Sequence, residues 1–554
     1  MNYLKTILLS VLCSFQLYSA DEVNKEELKK LSDRSVQLMN YVQSRCVTIM
    51  QEGAFKEKSG VIVSKDGYIF TSHIRVSDNE NYVVYLPDGK RVTAKLIDSN
   101  IRKGVALLKI NEDGNWPEVE LGNSPVEVNS WGLIGGFGLE RMRNQEAQLK
   151  LARVLKYDED RKHIVTFSSC LHSDEGGPMF DMDGRLVGIV SAIGNHQYQT
   201  RVTHISAYEE FDEELMKKLA ETKTNFTNNM QLYSKILVNK PTDDEDELFV
   251  DNIKLMQNHL HELHPKQNSA VVQVNSNDSP SIMGTVISSD GYILTKASEV
   301  GSNLSCEING KTYQGILYAE DHENDLAIIK IDEKGLTAVE WSAHTTGSFI
   351  YSPAQNDDEL GFGIIGHETA KFPKSFYNVN SPEKNTGLGA VIEHAANEFK
   401  IAAFLPESPL KTSGAVIGDI VTSVNGIKTP DRKDVIDVIS KLSPGTEISL
   451  EIKTPDGKTK NLVSTLIKEE EKEYPSTDRD YRVTDFSKRR ADFPAVFMHD
   501  AITEAWQCGG PVFDLNGKAV GINVARHNRT TTLAIPSEVI VRSIAKMMKN
   551  SIKF

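Results

Sequence analysis

The chain repeats itself, and the spacing of the repeat limits what it can fold into. Residues 60–71 read GVIVSKDGYIFT and residues 284–295 read GTVISSDGYILT, 224 positions apart. GVALLKI at Gly104 returns as DLAIIKI at Asp325, an offset of 221. EGGPMFDMDGRLVGI at Glu175 returns as CGGPVFDLNGKAVGI at Cys508, an offset of 333. Self-similarity on this scale means two structural units of one kind. Between the second and third motifs the offset grows from 221 to 333, by 112 positions. The second unit therefore carries an insertion about one small domain long, somewhere between Ile331 and Cys508.

Both copies read as short apolar strands separated by turn signals such as Lys65-Asp66-Gly67, Asp183-Gly184, Asp290-Gly291 and Asn516-Gly517. That pattern predicts barrels or sandwiches, not βαβ units. A helix is expected before each copy. Leu28, Leu31, Ser35, Leu38 and Val42 recur at helical spacing, as do Phe249, Ile253, Met256, Leu260 and Leu263. Residues 216–247 are polar and end in DDEDE, which reads as a partly helical acidic linker. The insertion has its own pattern, GLGAV at 387–391 and then ESPLKTSGAVIGDIVTSVNGIKT. A helix from Arg432 to Leu442 and two closing strands complete a domain of about 85 residues.

The start of the chain has a short basic stretch, an apolar run from Thr6 to Leu17 and then Tyr18-Ser19-Ala20. This is a secretory signal pattern, too short for a membrane span, so the mature protein is expected to be exported and soluble. Sixty-two Lys plus Arg against 77 Asp plus Glu leave a net charge of −15 with no basic stripe, which argues against nucleic acid. Cys46, Cys170, Cys306 and Cys508 are too scattered for a disulfide framework and lack zinc-site spacing.

SGVIVSKDGYIFT, SPLKTSGAVIGDIVTSVNGIKT and GGPVFDLNGKAVGIN resemble motifs of the HtrA/Deg family of exported proteases. The resemblance implies a mainly β chain of two trypsin-like double β-barrel units plus one PDZ domain, spliced between the two barrels of the second unit. The implied layout is a signal peptide over 1–20, a first trypsin-like domain over 21–215 and the acidic linker over 216–247. The second domain follows as a first barrel over 248–380, the PDZ over 381–468 and a second barrel over 469–554.

Peptide hydrolysis on such a fold needs a nucleophile, a histidine to take its proton and a carboxylate to orient that histidine. It also needs backbone N–H groups to hold the oxyanion. Carried over position by position, the family's histidine falls on Ile74 in the first copy, its aspartate on Gly104 and its serine on Glu175. His73 lies one residue off, and a one-residue slip in a strand turns a side chain to the other face. In the second copy the positions are Ser298, Asp325 and Cys508. Cysteine can serve as nucleophile if a base takes its proton, but Ser298 cannot be that base. His499 is the conceivable substitute, weighed against a structural histidine. Trp506 stands two before the nucleophile, where the family has glycine. His172, Asp174 and Glu175, and likewise His259, His261 and His264, read as solvated surface, so no metal or other cofactor is expected.

A PDZ domain adds a peptide strand to a sheet edge and captures its C-terminal carboxylate on backbone N–H groups. The resemblance places that loop at Gly387-Leu388-Gly389-Ala390, with Val435 and Ile439 either lining the side-chain pocket or simply core. The expectation is a pseudoprotease that binds peptides or C-termini of unfolded or envelope proteins, in a scaffolding or quality-control role. The rival is an endopeptidase with Cys508 as nucleophile. A homo-oligomer is allowed, as is regulation of another protease through the N-terminal helices, but neither is supported.

Overall fold

The computed structural model describes residues 25–51, 57–74, 81–122, 126–137, 147–194, 198–222, 268–277, 279–353, 361–372, 386–392, 398–405, 408–439, 442, 445–468, 487–501 and 503–551. The signal-like segment, the acidic run and the helix expected from Phe249 onward, with His259, His261 and His264, lie outside these residues.

Four closed β-barrels account for both copies, as the mainly β expectation requires. The N-terminal barrel of the first unit uses strands Cys46–Gln51, Glu57–Ile62, Tyr68–Ser72, Asn81–Tyr85, Arg91–Asn100 and Val105–Ile110. Its counterpart in the second unit runs from Val271–Asn275 to Leu326–Ile331 with the same strand order. The repeat extends to register, since Thr71 pairs with Ala106 where Thr295 pairs with Ala327. The C-terminal barrels also share one order. Trp131–Gly136, Gln148–Asp158 and His163–Phe167 in the first unit correspond to Phe349–Ser352, Gly361–Phe372 and Phe493–His499 in the second.

That correspondence moves the insertion. The PDZ domain does not sit between two barrels. It interrupts the second one, replacing the short hairpin that joins Asp158 to His163 in the first unit. Strands Phe349–Ser352 and Gly361–Phe372, expected in the first barrel of this unit, belong to the second. A hairpin brings its two strand ends side by side, so a domain with neighbouring termini can take the place of the turn at little cost. Phe372 and Phe493, which flank the insert, are register partners. The first unit is also longer than expected. Helix Glu213–Glu221, capped by Asp212 on the Leu215 N–H, buries Leu215, Met216 and Leu219 in that unit's core, so the linker begins after residue 221.

The helix Lys25–Gln43 packs on both units. Leu31, Leu38 and Val42 join a core containing Leu149 and Leu151 of the first unit and Phe349 and Ile364 of the second. The Arg34 guanidinium donates to the Met182 carbonyl at 2.7 Å, and the Ser32 hydroxyl accepts from the Phe349 N–H at 2.9 Å. A helix buried this way within its own chain does not offer that face to a partner protease. The two C-terminal barrels also meet directly. Asp500 accepts the Ile364 N–H at 2.7 Å and, across the joint, the Leu151 N–H at 2.6 Å. Burial raises the Asp500 carboxyl to about 6, and these two N–H groups and the Lys150 charge only partly offset the rise.

Candidate functional site

In both units the loop at the family's serine position has one backbone. A 3-10 turn, His172–Asp174 or Ala505–Gln507, leads into Glu175 or Cys508. A glycine with φ of +92° or +91° follows. A side chain at Gly176 would meet the Ser59 carbonyl at 2.0 Å, and one at Gly509 the Met283 carbonyl at 2.0 Å, so only glycine fits. The Gly176 N–H donates to Val190 and the Gly509 N–H to Asn523.

The same turn consumes the oxyanion donor. The Glu175 N–H is bonded to the His172 carbonyl and the Cys508 N–H to the Ala505 carbonyl, both at 3.2 Å. An N–H satisfied inside its own turn is not aimed at a developing oxyanion. Trp506 packs against Val271 and Met283 in the second unit.

Register fixes the remaining positions. The His73 N–H donates to the Gly104 carbonyl as the Ala297 N–H does to the Asp325 carbonyl, each at 2.9 Å. His73 thus matches Ala297, and Ile74 matches Ser298. His73 therefore stays one residue off the histidine position; its Nδ1 faces the Ser99 hydroxyl at 2.8 Å, while Ile74 is buried in the barrel core. Gly104 and Asp325 share a left-handed backbone, with φ of +72° and +58°.

Two of the expected residues of the second unit, Ser298 and Asp325, are in contact, though not as part of a triad. Asp325 accepts the Ser298 N–H at 2.6 Å and the Ser298 hydroxyl at 3.0 Å, the contacts a histidine's position would supply. Its other neighbour is the Lys296 ammonium at 2.5 Å, both groups being buried. Cys508 is fully buried, and the hydrogen-bonding neighbour of its sulfur is the Ser487 hydroxyl at 3.4 Å. Burial pushes the thiol up, further than the Lys296 charge, the Ser487 hydroxyl and the Arg526 N–H pull it down. Among the described residues no histidine nitrogen is hydrogen-bonded to this sulfur. His499 is enclosed, its Nε2 paired with the Asn523 side chain at 2.8 Å, and burial lowers it to about 4. It is a structural residue of the barrel.

In the first unit the Lys58 ammonium covers the site. It donates to the Ser72 hydroxyl at 2.7 Å and the His73 carbonyl at 2.9 Å, and lies 3.5 Å from the Glu175 carboxylate. Asp174 turns inward to the buried Lys150 ammonium and the Leu171 N–H.

Sequence reading missed Lys58, Lys296 and Ser487. Lys296 had a signal, a lysine ending an apolar strand, but its carboxylate partner lies 29 residues away. Ser487 had none.

In the PDZ, Gly389 takes φ of +70° between Ser408 and Ile467, where a side chain would be strained. Strand Ala390–Ile392 pairs on one side with Phe399–Phe404 and ends the sheet among the described residues, leaving an edge beside Gly387 and Leu388. Leu388, Val435 and Ile439 fall into one buried cluster, with Ala390 packed against it. Both helix residues are therefore core here, directly under the loop.

A trypsin-like peptidase domain family matches residues 58–189, and a PDZ domain family matches residues 386–465. Curated relatives include the probable periplasmic serine endoprotease DegP-like of Pseudomonas fulva, 38% identical over 138 residues, 24% of this chain and 29% of that protein. Those of Bartonella henselae, 33% identical over 138 residues, and Chlamydia muridarum, 32% over 145, likewise cover 24% of this chain and 27% and 28% of those proteins. The alignments thus span under a third of the relatives' own length. A serine endoprotease structure from Yersinia pestis aligns over 79% of this chain and 98% of its own, at 13% identity and a TM-score of 0.29. The chain is similar to DegP-like endoproteases and has a trypsin-like peptidase domain and a PDZ domain.

Proposed function

We propose that the chain is an exported, proteolytically inactive binding protein that holds peptide or unfolded-protein ends on its PDZ domain, with two trypsin-like units as scaffold. The observation that carries the reading is Asp325. In the second unit, which alone keeps this carboxylate, it is occupied by Ser298 and Lys296, and among the described residues no histidine or carboxylate is hydrogen-bonded to the Cys508 thiol, which burial pushes up. The first unit has Ile74, Gly104 and Glu175 at the same points. Export is supported by the signal-like start and by relatives named periplasmic; no helix among the described residues is long and apolar enough to cross a membrane.

The PDZ supports peptide capture through its sheet edge and its Gly387–Ala390 loop. Fluorescence anisotropy with the mature chain tests this, using a peptide library with free C-terminal carboxylates and the same sequences amidated. Binding that falls at least tenfold on amidation supports carboxylate capture. Equal binding of both forms, or of neither, contradicts it.

A further inference from the structure

The segment that brings the chain back from the PDZ, Ser487 to Asp492, runs through the cleft between the two barrels of the second unit. Ser487 is 4% exposed; its hydroxyl accepts the Arg526 N–H at 3.0 Å and lies on the Cys508 sulfur. Arg526 belongs to strand Ala519–Asn528, which runs past the Cys508 loop through the Gly509–Asn523 bond. On the other wall, the buried Glu299 carboxylate takes the Lys488 N–H at 3.1 Å and the Lys488 ammonium at 3.2 Å. The Arg489 carbonyl accepts from the Lys296 ammonium at 3.0 Å. The Arg489 guanidinium donates to the carbonyls of His322 and Glu323, in the turn after strand Lys311–Asp321. The Arg490 carbonyl faces His527 Nδ1 at 2.9 Å, and burial lowers that ring to about 4, so at neutral pH it donates as the Nδ1–H tautomer. Ala491 is buried.

We infer that this cleft is a peptide-binding groove, filled in cis by the chain's own Ser-Lys-Arg-Arg segment. Contacts to both barrels, from main chain and from side chains, are what a bound peptide makes. The groove's chemistry names the ligand class. The site beside the thiol takes a small hydroxyl residue, and the wall carrying Glu299 and two backbone carbonyls takes cationic side chains. Lys488 keeps over half its side-chain surface in solvent, so its pair is the weak edge and Ser487 with Arg489 the anchor. The segment seals Cys508, and any other peptide reaching that thiol must displace it. Among the described residues the first unit shows no such occupant; a short hairpin at Asp158–His163 stands where this segment returns.

The test is the alkylation rate of each cysteine of the mature chain, read by peptide mapping. Cys46, Cys170 and Cys306 are also buried and serve as folding controls. In a Lys488→Glu/Arg489→Glu variant, Cys508 should be modified at least tenfold faster while Cys306 is unchanged. A synthetic Ser-Lys-Arg-Arg-Ala-Asp peptide added in trans should slow it again. If all four cysteines accelerate together the variant has unfolded, and the milder Lys488→Ala/Arg489→Ala pair decides. Selective acceleration at Cys508 upholds the groove; an unchanged rate, or one the free peptide does not reverse, overturns it. Neither result depends on carboxylate capture by the PDZ.

Discussion

Glu175 and Cys508 stand at the same point of the same loop, each with its N–H returned to the residue three before and each followed by a left-handed glycine. The charged groups around them do not agree. The first unit closes its loop with Lys58 from a neighbouring strand and anchors it from below with the buried Lys150–Asp174 pair. The second places its buried pair, Lys296–Asp325, in the other barrel and covers the loop with residues brought back from the PDZ. The loop backbone is thus held by its glycines and turn bonds, not by the residue at the nucleophile position, which is free to be an acid in one unit and a thiol in the other.

The largest effects should come from the two buried ion pairs. Removing one partner leaves a charge without its counter-ion in the interior, which costs about 3–5 kcal/mol. Lys150→Met and Lys296→Met should each lower the thermal unfolding midpoint of the unit that carries it, followed by calorimetry. Equal loss in both units from either variant would mean the units do not unfold separately.

The joint between the units should respond to pH. Asp500 has a folded pKa raised to about 6 from an ordinary 3.8, so folding binds its proton more tightly. Its stabilising contribution is full below about pH 4 and lost as pH rises through about 6, a swing of up to about 3 kcal/mol. Stability relative to Asp500→Asn should therefore rise as pH falls from 7 to 4. A flat difference in denaturant titrations would remove the linkage.

Gly176→Ala and Gly509→Ala should each cost about 2 kcal/mol or more, since both force a side chain into a left-handed backbone against a carbonyl. Similar losses would sharpen the equivalence of the loops; a tolerated substitution in one unit would break it. The smallest effect belongs to Glu175→Gln. Its ion pair with Lys58 is partly exposed on both sides, so stability should change by less than about 1 kcal/mol.

The repeat, its barrel-or-sandwich character and the inserted domain were legible in the sequence because turns, alternation and glycine positions are local signals, while the PDZ and the pairing of barrels into two units came from the family resemblance. The offsets bounded the insertion between Ile331 and Cys508, yet its true place, inside a barrel, depended on Phe372 pairing with Phe493 across the whole domain. Positional carry-over pointed to Asp325 and Ser298, which the structure brings into contact, because motif spacing is a local signal. It could not find Lys296 meeting Arg489, separated by 193 residues, or Asp500 bonded to Leu151, separated by 349. Such pairs exist only after the barrels have closed and the units have packed.

The direct test of the inactive-scaffold account is proteolysis of casein by the purified mature chain beside its Cys508→Ala variant, with both shown to be folded. The account predicts no cleavage by either. Cleavage by the natural chain that vanishes in the variant would contradict it, making the second unit a thiol endopeptidase.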